Sequence, residues 1–234
     1  MIKIISFLSF VFLAATISLY LFWYKPKFSD TGKQPSVSRM PENSHIKPVR
    51  LQRMVNEMKQ IDTWSHFNKQ YCFLIDMSIH SGRNRFFIYN LLKDTVIAAG
   101  LVTQGSCPGA NKSEKPFSNR VSSNCTSLGR YRVGKPYVGK FGLAYKLYGL
   151  DTSNSRAFER FVVLHAHGCV PDSEVFPLPI CESWGCPTVS PAFLKILSNY
   201  IAGSTKPILM WIYYFRCFLF LLRCCIIGKG TVCF

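Results

Sequence analysis

The spacing of apolar positions changes repeatedly along the chain, and each change predicts an element. Ile4 to Tyr24 is a run of 21 residues without a charge, "IISFLSFVFLAATISLYLFWY". At about 1.5 Å per residue, a helix of that length crosses a hydrocarbon core of about 30 Å. Trp23 and Tyr24 stand at one end, where interfacial aromatics belong. No Ala-x-Ala cleavage site follows, so residues 1–24 read as an uncleaved membrane anchor rather than a signal peptide. Residues 25–48 hold Pro26, Pro35, Pro41, several serines and few large apolar side chains, which is a linker composition. Beyond them Val49, Leu51, Met54, Val55, Met58, Ile61 and Trp64 recur at helical spacing, with Arg50, Arg53, Glu57 and Lys59 between them. That spacing predicts an amphipathic helix within 49–70, packed on the domain that follows.

From Tyr71 the pattern becomes that of strands. "YCFLIDMSI" (Tyr71 to Ile79) and "RFFIYNLL" (Arg85 to Leu92) flank a turn at His80 to Asn84 and predict a hairpin. Thr95 to Gly105, Gly129 to Gly134 and Leu143 to Leu150 read as further strands. Arg160 to Leu164 reads as a buried strand ending in His165. Ser190 is an N-cap and Pro191 a first-turn residue for a short helix, and Pro207 to Tyr214 reads as a closing strand. Many short strands and few helices predict an α+β, predominantly β, domain over 71–214, folded as a sandwich or barrel. Residues 215–234 mix Arg216 and Arg223 with apolar side chains. A membrane-surface helix, a poor second span and an appended extension all fit that tail.

A formal charge of +16 predicts attraction to a polyanion: nucleic acid, an anionic membrane or an acidic wall polymer. The chain has no zinc-finger spacing, RNP-like aromatic motif or glycine-rich phosphate loop, so nucleic acid is not the expected partner. The cysteines do not form paired Cys-x-x-Cys knuckles, so no metal site is expected. Cys72, Cys107, Cys125, Cys169, Cys181 and Cys186 fall in the expected domain, and an oxidising compartment would let some of them pair.

The stretch "CESWGC" (Cys181 to Cys186) carries the candidate chemistry. Gly185 before Cys186 allows a sharp turn that brings backbone N–H groups inward, as an oxyanion hole requires. Ser183 can hydrogen-bond within the same loop. A thiol needs a partner to become a thiolate nucleophile, and His165 at a strand end is the best-placed base. The bland readings stand beside this one: Cys186 as a small buried apolar group, His165 as a satisfied polar residue. Cys181 reads as loop structure or half of a disulfide. His167 lines the same pocket if the strand continues past His165. His80, in a turn, and His45, in the linker, are poor bases.

Together "ERFVVLHAHG" (Glu159 to Gly168) and "SWGCPTV" (Ser183 to Val189) resemble the murein L,D-transpeptidase catalytic domain family, a branch of the YkuD-like cysteine transpeptidases. The resemblance extends over the hairpin "LIDMSIHSGRNRFFIYNL", then "VTQG", "FSN", "SSNCTSLGRYRV" and "LYGLD", from about Tyr71 to Tyr214. It implies Cys186 as nucleophile and His165 as base, with Ser183, Trp184 and Gly185 as the oxyanion loop. It suggests His167 and Tyr148 as substrate contacts. It implies peptidoglycan stem peptides as substrate and no metal or organic cofactor. The stem loses its terminal D-alanine to a thioester, which an amine resolves as a 3→3 cross-link; water would make the protein an L,D-carboxypeptidase. A non-catalytic wall-binding module is the alternative in another class. Glu182 stands where relatives often carry arginine, and "QGSCPG" replaces a histidine-glycine loop. Lys25 and Lys27 follow the apolar run and only Lys3 precedes it, which by charge alone keeps the domain in the cytoplasm. The implied substrate lies outside, so the expectation is an inner-membrane anchor with a periplasmic or cell-surface catalytic domain.

Overall fold

The computed structural model describes residues 12–18, 49–109 and 116–215. Contacts divide the chain into two units, Met1–Ser36 and Val37–Phe234. In the first unit, residues 12–18 are helical and exposed. The rest of the expected anchor, all of the linker 25–48 and all but the first residue of the tail 215–234 lie outside the described residues. Among the described residues no helix is long and apolar enough to cross a membrane.

The second unit opens with helix α1 (Val49–Lys59). The helical expectation over 49–70 is too long: Asp62–His66 is a 3-10 turn entered from an extended Ile61. The physical reason is local, since Asp, Thr and Ser, the residue types at 62, 63 and 65, have low helix propensity. Strands β1 (Tyr71–Asp76) and β2 (Phe86–Asn90) form the expected hairpin. Next come β3 (Thr95–Gly100), β4 (Gly129–Gly139) and β5 (Gly142–Gly149). The two-residue β7 (Thr188–Val189) follows β6 (Val163–Ala166), then helix α2 (Pro191–Ala202) and β8 (Leu209–Tyr213).

All eight strands join one sheet in the order β3-β2-β1-β8-β4-β5-β6-β7. The expectation of a sandwich is therefore corrected. The barrel expectation is closer, because backbone beyond the two edge strands bonds across the gap. Thr103 N–H donates to Thr188 O (2.9 Å), Ser183 N–H to Gln104 O (2.9 Å) and Ser106 N–H to Ser183 O (2.9 Å). These bonds close the sheet irregularly, through loops rather than through a β3–β7 ladder. Closure removes the exposed edge that an open sheet would present.

The central strands read as continuous apolar runs because both of their faces are covered. Phe73, Ile75, Phe86, Ile88, Tyr131, Leu147, Leu164, Met210 and Ile212 point inward and enclose Phe193, Leu194 and Leu197 of α2. Cys72, Leu74, Phe87, Tyr89 and Leu209 point outward and are covered by Leu51, Met54, Val55 and Met58 of α1. Ser190 Oγ accepts the Phe193 N–H (3.2 Å), which caps α2 as its sequence predicts. Among the described residues the outer face of β4, β5 and β6 has no such helical cover, and that face carries the candidate site.

Candidate active site

β6 and β7 run parallel, with His165 opposite Thr188. Strand β6 is shorter than expected: Arg160 to Val162 form a turn, and the strand ends at Ala166 rather than at His165. The loop before β7 is fixed from several sides. Ser183 is held by its backbone to Gln104 and Ser106. Its hydroxyl donates to Cys186 O (2.6 Å) and accepts Gly185 N–H (3.2 Å). Gly185 has φ +105°, and a Cβ there would lie 2.7 Å from Cys125 O. Only glycine meets both conditions without strain. Thr103 Oγ1 donates to Cys186 O (3.2 Å) and accepts Thr188 N–H (3.1 Å), so the loop hangs on the strand that continues from β3.

Disulfides Cys107–Cys125 and Cys169–Cys181 brace the loop from two sides. Cys181 is thus half of a disulfide. Cys186 and Cys72 are free, Cys72 wholly buried and Cys186 only partly. The Cys186 Sγ accepts Val163 N–H (3.5 Å) and lies 3.7 Å from Phe161 O. The Arg160 guanidinium donates to Ser118 O (2.8 Å) and Cys125 O (2.5 Å), and its charge acts on Cys186. Burial pushes the Cys186 thiol above its ordinary range, and the Val163 N–H and Arg160 act against that.

His165 is buried, with Nδ1 3.1 Å from Ala166 O and Nε2 3.0 Å from Thr188 Oγ1. A carbonyl can only accept, so Nδ1 carries the proton and Nε2 of the neutral ring is left as the basic nitrogen. Burial pushes the ring below its ordinary range; the Ala166 carbonyl raises it and nearby His167 lowers it. Phe141 stacks on His165 (4.8 Å between centroids, 20° between planes). Both shifts favour the neutral forms, thiol and imidazole. In this arrangement Nε2 bonds to Thr188 rather than to Cys186 Sγ.

This predicts the pH course of alkylation. Thiolate appears only as pH rises through a raised value, so iodoacetamide labelling of the Cys186 peptide, read by mass spectrometry, is expected to climb at higher pH than labelling of a free thiol. Arg160→Met removes a charge that favours the thiolate and moves the midpoint higher still. A midpoint below that of a free thiol would contradict this electrostatic account.

The structure places the other expected residues unevenly. His167 is exposed, accepts Cys169 N–H at Nδ1 (3.1 Å), and meets the edge of Phe141 at 6.0 Å. Trp184 is 82% exposed at the loop tip. The Gly185 N–H is engaged by Ser183 rather than turned inward. Tyr148 sits on the outer face of β5, stacked on Phe158 (5.5 Å). Sequence reasoning missed Thr103, Thr188, Arg160 and Phe141. Only Thr188, two residues past Cys186, carried a local signal. Among the described residues no group of three His, Cys, Asp or Glu side chains could hold a metal ion.

Fold and site together define a class: a rolled, predominantly β domain that presents a free thiol from the loop before β7 and a tautomer-locked imidazole from the adjoining parallel strand β6. Within that class, the chain belongs to the L,D-transpeptidase catalytic domain family, whose model matches residues 42–213. None of the curated proteins matches it. Similar solved structures include Bd1075 of Bdellovibrio bacteriovorus, 17% identical with a TM-score of 0.39, covering 64% of this chain and 49% of that one. An L,D-transpeptidase (residues 123–326) from Xylanimonas cellulosilytica DSM 15894 is 14% identical with a TM-score of 0.37, covering 62% and 61%. The helical cell shape determining protein Pgp2 of Campylobacter jejuni is 10% identical with a TM-score of 0.39, covering 70% and 55%. The match thus takes in about half to three fifths of each of those chains.

Proposed function

We propose that this protein is a peptidoglycan L,D-transpeptidase with Cys186 as nucleophile and His165 as base. The observation that carries the reading is the free thiol of Cys186, held beside Val163 N–H and Arg160 in the loop that leads into β7, whose Thr188 pairs with His165. When a stem tetrapeptide binds, Nε2 exchanges its Thr188 partner for the thiol and takes its proton. The thiolate attacks the carbonyl on the L-centre of the third residue. As charge builds on the carbonyl oxygen, the Ser183–Trp184–Gly185 loop serves as the oxyanion loop, the Gly185 N–H exchanging its Ser183 partner for the oxyanion. Collapse breaks the C–N bond, His165 returns the proton to the departing D-alanine amine, and a thioester remains. An amine of a neighbouring stem then attacks, His165 accepts its proton, and the thiolate leaves with formation of a 3→3 amide. His167 and Tyr148 contact the stems.

The two disulfides suit an oxidising compartment. That supports a domain outside the cytoplasmic membrane, tethered by the apolar run Ile4 to Tyr24. The test is incubation of the full-length chain with purified disaccharide tetrapeptide, with products read by mass spectrometry. Free D-alanine and 3→3 dimers are expected. Tripeptide without dimers would make water the acceptor and the protein a carboxypeptidase. Intact substrate would overturn the enzyme reading.

A further inference from the structure

The uncovered outer face beside the site carries alternating cations and rings. Arg132 lies over the Tyr148 ring (4.1 Å), Tyr148 stacks on Phe158 (5.5 Å), and Lys146 Nζ lies over Phe158 (5.3 Å) and Tyr137 (5.8 Å). Register explains the grouping. Arg132 pairs with Tyr148 across β4 and β5, and Lys146 pairs with Val163 across β5 and β6. Alternation keeps these side chains off the core, into which Tyr131, Val133, Tyr145 and Leu147 point. Lys146 and Phe158 are exposed, Phe158 by 55%.

Among the described residues no carboxylate forms an ion pair with Arg132 or Lys146; the nearby acids Asp151 and Glu159 pair with Arg130 and Arg156. Rings hold a cation in place without neutralising it. Two positive groups are thus held on aromatic faces, Lys146 exposed and Arg132 half-buried. Their position relative to the thiol is close. Val163, the partner of Lys146, donates its N–H to Cys186 Sγ at 3.5 Å. A cross-strand Cα pair spans about 5 Å, so the stem of Lys146 starts within about 10 Å of the sulfur. An extended peptide covers that in about three residues.

We propose that the Lys146–Arg132 face with Tyr148 and Phe158 is the docking surface for an acidic peptide. It receives carboxylates lying up to about three residues from the attacked carbonyl, while the rings pack against the peptide's aliphatic parts. The assignment rests on the reading of the chain as acting on stem peptides, whose acidic residues supply such carboxylates. Charge complementarity selects this occupant: the face offers apolar area and cations that, among the described residues, have no carboxylate partner. Lys146 is the specificity residue, because it lies nearest the thiol in register. Arg132 reinforces it from the adjoining strand.

The experiment compares full-length wild type and Lys146→Met on a disaccharide tetrapeptide with free carboxylates and on the same compound with its side-chain carboxylates amidated. Turnover is read by D-alanine release, and affinity for both compounds is read separately by calorimetry. Methionine keeps the unbranched apolar stem and removes the charge. The expected result is a tenfold rise in KM and Kd for the acidic compound in Lys146→Met, close to the tenfold expected when one charge-assisted contact is lost. Amidation is expected to raise KM similarly in wild type, with the substitution adding less than twofold on the amidated compound. An equal effect on both compounds, or none on either, overturns the proposal. Turnover by wild type without dependence on Lys146 overturns the docking surface and leaves the reaction standing. Absence of turnover with Lys146-dependent binding of the acidic compound overturns the reaction and supports the docking surface.

Discussion

Cys186→Ala is expected to lower D-alanine release and thioester formation by at least about 10⁴-fold, to the background of substrate binding without chemistry. The loss falls on the chemical step. No other described cysteine can stand in, since Cys107, Cys125, Cys169 and Cys181 are disulfide-bonded and Cys72 is wholly buried. The loop itself survives the change. Its hydrogen bonds run to the carbonyl of Cys186, from Ser183 and Thr103, and an alanine keeps that carbonyl. The variant therefore remains folded and binds stem peptide with near-wild-type affinity. His165→Ala is expected to cost about 10²- to 10⁴-fold by removing the base while leaving the thiol in place. Rates by mass spectrometry, with far-ultraviolet circular dichroism as the control for folding, check both. A Cys186→Ala protein that still releases D-alanine within tenfold of wild type would move the nucleophile to another residue.

The second large effect concerns stability. Arg85 is buried to 2% exposure beneath the sheet closure. Its Nε and Nη2 donate to Val102 O (3.0 and 2.8 Å) and its Nη1 to Ile79 O (3.1 Å). Asp76, also 2% exposed, supplies the opposing charge. Burial pushes Arg85 down to about 10, and Asp76 acts against that. Arg85→Ala removes the counter-charge of a buried carboxylate and strips two carbonyls of their donors. Breaking one side of such a pair costs about 3–5 kcal/mol, out of a total of about 5–15 for an ordinary domain. The expected readout is a fall in Tm of about 6–20 °C. Activity falls with it, because Val102 precedes Thr103, whose hydroxyl holds Cys186 O. Arg85→Lys is expected to lie between the two, as it keeps the charge but not the forked geometry. An unchanged Tm in Arg85→Ala would show that the carbonyls and Asp76 find other partners at no cost.

Local chemistry was legible where the chain acts locally. The β1–β2 hairpin follows from two apolar runs around "HSGRN", and the start of α2 from Ser190 and Pro191. The resemblance carried by "ERFVVLHAHG" and "SWGCPTV" agreed with the family match over residues 42–213. The pairing partners were not legible. β8, read as a closing strand, lies in the middle of the sheet between β1 and β4, and an apolar run carries no mark of which interior gap it fills. β7 is two residues long, too short to show a period of its own. The choice of Cys169–Cys181 and Cys107–Cys125 among six cysteines depends on distances that only folding sets.

The same division holds in the candidate site. The sequence alone determined the residue types that make thiol chemistry conceivable: a cysteine after a glycine, a serine in its loop, and a histidine beside a buried strand. Tertiary structure decided their states, because apart from the adjacent Ala166 the deciding groups are distant in the chain. Ala166 O selects the His165 tautomer, and Thr188 takes its second nitrogen. Arg160, tied to Ser118 and Cys125, sets its charge beside the Cys186 thiol. Thr103, 83 residues before Cys186, holds its carbonyl. Hydrogen bonds and charge act over a few ångströms of space, and sequence separation has no bearing on them, so a linear pattern can supply the reactive atoms but not the field in which they work.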